Sequence, residues 1–125
     1  MEIIIQKTKV VEKQKEIEIK NIAKQKVKDI GIKIQLLGFK YWVTATTIAV
    51  LSDFESDDNL KMMDVYSIVA KKHKTTPSKV EKALRYAYAD IDLNMYFNVS
   101  YHINNTALLF LLKDAVITSY YNETS

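Results

Sequence analysis

Apolar residues recur at helical spacing along most of the chain. From Ile19, positions Ile22, Ala23, Val27 and Ile30 share one face, and Gly31 stands where a left-handed residue would cap the segment, which predicts a helix over 18–30. Beyond Gly38, residues Trp42, Ala45, Ile48, Ala49 and Ser52 line a second face up to about Phe54, before the polar stretch 55–59. The β-branched cluster Val43-Thr44-Ala45-Thr46-Thr47-Ile48 suits a strand equally well, so propensity leaves this segment open. Residues 59–66 and 67–73 read as two short helices, with Asn59 and Ser67 as N-caps. Thr76 then serves as an N-cap with Pro77 at the first helical position, and no other breaker follows until about Asn94, which predicts a helix from 77 to about 90. Residues 91–103 are rich in aromatics and asparagine, and 107–117 predicts a buried C-terminal helix. Residues 1–16 mix Ile3, Ile4, Ile5, Val10 and Val11 with lysine and glutamate without a clean period, and read as an arm or a short strand. The expected fold class is all-α, with about six helices.

Composition narrows this picture by exclusion. A chain of 125 residues has the size of one domain. Two glycines and one proline are too few for the tight turns of a sandwich or barrel. They also exclude a glycine-rich phosphate loop. Without cysteine there is no disulfide, thiolate metal site or cysteine nucleophile. The longest aliphatic and aromatic run, 107–112, falls far short of the roughly 20 residues that cross a bilayer. The first residues carry no signal-peptide pattern, so a cytoplasmic protein without a membrane partner is expected.

Charge adds a direction. Net charge runs +5 over residues 1–40, −4 over 41–70, +5 over 71–89 and −3 over 90–125. The first basic block alternates in sign and reads as a solvated face. The second packs six cations into nineteen residues after an acidic stretch that would repel DNA, which points to a local basic face. Arg85 is the one arginine among 18 basic residues, and it lies within that block. Arginine offers a planar fork for two acceptors where lysine offers a point charge. The lysine bias, with abundant Ile, Asn and Tyr, suits A·T-rich codons and hence a low-GC bacterial source or a mobile element.

Residues 66–88 unite these signals. A helix holding a small Ala70, a tight turn, and a second helix with Val80 ten positions later form the pattern of a helix-turn-helix, with Val80, Leu84 and Ala87 facing inward. The outward face is then Ser78, Lys79, Lys82, Arg85, Tyr86 and Ala89, with positive charge for phosphates and a guanidinium able to hold guanine O6 and N7. Base contacts are expected from Lys79, Lys82, Arg85 and Tyr86, and phosphate contacts from Lys71, Lys72, Lys74, Thr75, Thr76 and Ser78. The domain proper is expected over 19–120, between an N-terminal arm (1–18) and a C-terminal tail (121–125).

The segments Ile30-Gly31-Ile32, Gly38-Phe39-Lys40-Tyr41, Ala70-Lys71-Lys72, Thr75-Thr76 and Val80-Glu81-Lys82-Ala83 carry a resemblance. Over roughly residues 20–120 the chain resembles the C-terminal DNA-binding effector domain of the master response regulators of sporulation initiation in endospore-forming bacteria. The resemblance implies a six-helix domain whose recognition helix enters the major groove of a short promoter box. The family's recognition helix carries an arginine, a glutamate–arginine pair and a further arginine, at positions that match Lys79, Glu81 with Lys82, and Arg85. This adds Glu81 to the expected base contacts. Two of those arginines are lysines here, an exchange that is not neutral at bidentate sites, so a different DNA sequence is expected. Residues 1–18 are too few for a receiver domain, and the expectation is a stand-alone effector domain without phosphorylation control. Between the recognition helix and the last helix, Tyr96, Phe97, Tyr101 and Ile103 replace a longer polar, lysine-containing stretch.

Other candidates carry less. His73 and His102 are far apart in sequence and have no carboxylate at metal-ligand spacing, so they read as structural histidines, with no metal or cofactor expected. Asp90 and Asp92 do not share a helical face for acid–base work. Neither an enzyme nor a small-molecule substrate is expected. The leading expectation is a sequence-specific double-stranded DNA-binding protein that regulates transcription, a homodimer on paired sites. The alternatives are an accessory factor for plasmid replication, copy control or transfer, and an interaction protein pairing with a full-length relative through apolar positions such as Leu108, Phe110 and Leu112.

Overall fold

The computed structural model describes residues 2–55 and 60–124, and its described residues form six α-helices and no strand. Helix α1 (Glu2–Asp29) forms because nothing interrupts it: lysine, glutamate and glutamine are good helix formers, and the first glycine is Gly31. The arm or short strand expected over 1–16 is therefore corrected, since α1 runs through residues 2–16 without a break and is about 42 Å long. Intrinsic propensity outweighs the missing apolar period there. Ile19, Ala23, Val27 and Ile30 are buried as the period predicted. Gly31 ends the helix with φ +105°, its N–H donating to the Lys28 carbonyl at 3.0 Å.

Helix α2 (Leu37–Phe54) resolves the helix-or-strand ambiguity in favour of helix. Ten of its residues are buried, so it forms the centre of the molecule and packs on α1, α3, α4 and α6. Tertiary burial overrides the β-branched preference.

The two short helices expected over 59–73 are one, α3 (Met62–Lys72). Ser67 lies inside it, where its hydroxyl donates to the Met63 carbonyl (3.0 Å) instead of capping a helix. Asp64 performs the capping by accepting the Lys61 N–H at 2.9 Å, whereas Asn59 lies outside the described residues. Helix α4 (Pro77–Ala87) begins as predicted and ends at Ala87, short of the expected 90. A short α5 (Leu93–Phe97), not anticipated from sequence, starts where Asp92 accepts the Met95 N–H at 3.1 Å and stops at Asn98 with φ +54°.

Helix α6 (Asn105–Thr124) is longer at both ends than the expected 107–117. It starts where Asn104 accepts the Ala107 N–H at 2.9 Å, and residues 121–124, expected as tail, continue it. Leu108, Leu109, Leu112 and Val116 are buried against the rest of the core, and of the apolar positions considered for partner binding Phe110 is the exposed one.

Candidate nucleic-acid interface

The helix-turn-helix consists of α3, the turn after it, and α4. Val69 and Ala70 of α3 and Val80, Leu84 and Ala87 of α4 are all buried, and the two helices pack on each other. In the turn, Lys74 adopts φ +55° and the Thr75 N–H donates to the Ala70 carbonyl at 2.9 Å. These are the marks of a Schellman ending, in which glycine usually takes the left-handed position. Thr76 Oγ1 then accepts the Lys79 N–H at 3.3 Å, and Pro77 opens α4 at no cost in hydrogen bonds.

Three contacts fix α4 from behind. Trp42, fully buried in α2, donates its indole N–H to the Leu84 carbonyl at 2.9 Å. Gly38, at the start of α2, lies so close to α4 that an added Cβ would stand 2.4 Å from the Ala83 carbonyl oxygen. On the other flank Asn105, buried at the head of α6, donates to the Glu81 carbonyl (3.3 Å) and the Tyr66 hydroxyl (3.1 Å) and accepts from the Tyr88 hydroxyl (2.8 Å). Burial, and then the nearby Tyr66 hydroxyl, push the Tyr88 phenol above its ordinary range, so it remains a donor. This joint was missed in the sequence, where the signal was one asparagine ahead of a long apolar run.

With its back held, α4 presents Ser78, Lys79, Lys82, Arg85 and Tyr86 to solvent, all exposed. Lys71, Lys72 and Lys74 are exposed beside them, Thr76 is exposed, and Thr75 is half-buried. Ala89 is exposed beyond the helix end. Glu81 sits at the margin of this face and holds Arg85 Nε at 3.0 Å, and that hydrogen bond raises the guanidinium further above its already high range. The bond engages the guanidinium through Nε. Chemically, the face offers point charges for phosphates, one oriented planar donor pair, and an aromatic surface.

His73 closes the C-terminus of α3. Its Nε2 lies 2.8 Å from Thr44 Oγ1, and its ring lies against Tyr41 with 5.0 Å between centroids. Burial first, and then Lys40, Lys72 and Lys20, lower its pKa from the ordinary 6.5. Unfolding restores the ordinary value, so the unfolded chain binds the proton more readily. The contribution of His73 to stability is therefore whole above about 6.5 and declines as pH falls through that value. Thermal melts between pH 7.5 and 5 should show this loss, and His73→Phe should be less sensitive over the same range. Equal pH sensitivity of the two proteins would contradict the assignment.

Among the described residues, no group of three or more His, Cys, Asp or Glu side chains could hold a metal ion. No helix there is long and apolar enough to cross a membrane.

Comparison with known protein families matches residues 23–107 to a model described as the sporulation initiation factor Spo0A C terminal. It begins in the last part of α1, takes in α2 to α5 whole, and ends in the first turn of α6. No curated protein and no solved structure matches the chain.

Proposed function

Since this chain belongs to the sporulation initiation factor C-terminal family, whose domains bind DNA and regulate transcription, we propose that it reads a specific double-stranded sequence by placing α4 in the major groove. The observation that carries this reading is the grouping of Lys79, Lys82, Arg85 and Tyr86 on the exposed face of a helix fixed from behind by Trp42, Gly38 and Asn105. In the proposed complex Arg85 grips guanine O6 and N7, and Lys79 and Lys82 reach neighbouring acceptors. Glu81 acts by orienting Arg85 and accepts from a cytosine amine in that complex. Lys71, Lys72, Lys74, Thr75, Thr76 and Ser78 hold phosphates and set the register. Two copies occupy paired half-sites about one helical turn apart. Selection of bound sequences from random duplexes tests the reading, and failure to retain any duplex at low salt rejects it.

Lys74 strengthens the case. A non-glycine residue in the left-handed region costs on the order of 1 kcal/mol, and here that position bears a cation beside the recognition helix. Lys74→Gly should therefore raise stability by about 1 kcal/mol while weakening DNA binding. The slope of log K against log salt, expected at about −3 to −6 for the parent, should become shallower by about one in this variant. Melting curves and salt titrations read the two effects separately, and an unchanged slope would remove Lys74 from the phosphate contacts.

A further inference from the structure

The start of α2 widens the exposed face of α4 into a groove. Leu37 forms part of one wall and Ala83, Tyr86 and Ala89 part of the other, with Lys82 and Arg85 also lining a space of about 660 Å³. Leu37 is 63% exposed and Tyr86 73% exposed, so two large apolar side chains stand in water next to cations. The spacing of the walls is set by backbone. Gly38 already brings α2 against the Ala83 carbonyl and Ala87, and the two helices cannot close further to cover these side chains. An apolar protein partner is a poor occupant, because seating it would bury Lys82 against apolar surface and strip water from the Arg85–Glu81 pair. The major groove of DNA offers what the lining asks for: phosphate and guanine acceptors for the cations, and one apolar group, the C5-methyl of thymine.

We propose that this groove reads thymine, with Leu37 and Tyr86 enclosing the C5-methyl of a thymine adjacent to the base pair contacted by Arg85. The inference rests on the DNA-reading function above and adds to it a specificity-determining residue, Leu37, from outside the helix-turn-helix. It also assigns a role to Tyr86 that needs neither stacking nor a hydrogen bond. Because the walls are fixed before binding, methyl recognition requires little ordering of the protein.

Replacing each thymine of the selected duplex in turn with deoxyuridine removes the methyl and leaves the base pairing intact. The full chain and its Leu37→Ala and Tyr86→Ala variants are titrated against this set, after melts show that the variants fold. At one or two positions beside the guanine read by Arg85, uracil should weaken the parent about fourfold for each methyl lost. At those positions Leu37→Ala should bind thymine and uracil duplexes equally. Equal binding of thymine and uracil duplexes by the parent at every position overturns the proposal while leaving DNA reading intact. Full retention of the thymine preference by both variants also overturns it. A parent that binds no duplex defeats the underlying DNA reading, and this inference with it.

Discussion

Arg85→Ala should weaken binding to the selected site by about 5- to 150-fold and relax the choice at one base pair. The expectation comes from the way Arg85 is held. Glu81 engages Nε at 3.0 Å, which restrains the long side chain before DNA arrives and leaves the terminal nitrogens for a forked grip. Arg85→Lys is the sharper probe, because it keeps the charge and removes the fork: non-specific binding should persist while discrimination at that base pair falls. Lys71→Ala alters an exposed residue in the last turn of α3, and should weaken all sequences about equally. Titration against the selected duplex and its one-base variants separates these cases. If Arg85→Lys keeps its preference at every position, base reading passes to Lys79, Glu81 or Lys82.

Gly38→Ala should destabilise the fold by about 3 kcal/mol, toward the upper end of what overpacking costs. The new methyl would stand 2.4 Å from the Ala83 carbonyl oxygen and 2.5 Å from the Ala87 Cβ. Neither neighbour is the end of a flexible side chain, so α2 and α4 must separate, and the Trp42–Leu84 hydrogen bond lies in that same interface. Gly31→Ala provides the contrast. Its Cβ would meet only Ile91 at 3.5 Å, an ordinary contact, and its cost of about 1 kcal/mol comes from φ +105°. Calorimetry should order the midpoints as parent, Gly31→Ala, Gly38→Ala. A Gly38→Ala protein that melts with the parent would mean that the α2–α4 contact is looser than described.

What could be read in the sequence was what local chemistry decides. Thr76-Pro77 fixed the start of α4, and the period of Val80, Leu84 and Ala87 fixed its buried face, so the exposed set Lys79, Lys82, Arg85 and Tyr86 followed by geometry. Gly31 likewise announced the end of α1. The misreadings arose where local signals were weak or contradictory. Residues 2–16 lack an apolar period but also lack a breaker, and continuous helix propensity prevailed. Ser67 has the chemistry of a cap, yet its hydroxyl bonds back within α3. Helix α5 is too short for any period to register. Six helices were expected and six are described, but two expected helices fused into α3 and α5 restored the number. The parts of the site that depend on distant partners stayed hidden. Nothing local marks Asn105 as a joint for Tyr66, Tyr88 and Glu81, or Leu37 as a neighbour of Tyr86.

The indole of Trp42 gives this arrangement an optical signature. The chain contains a single tryptophan, so its indole fluorescence comes from one fully buried ring bonded to the backbone of the helix proposed to read DNA.

 Its emission should be blue-shifted while α4 is seated and should move to the red when α4 lifts away from α2, so movement of α4 can be followed in solution without any attached dye.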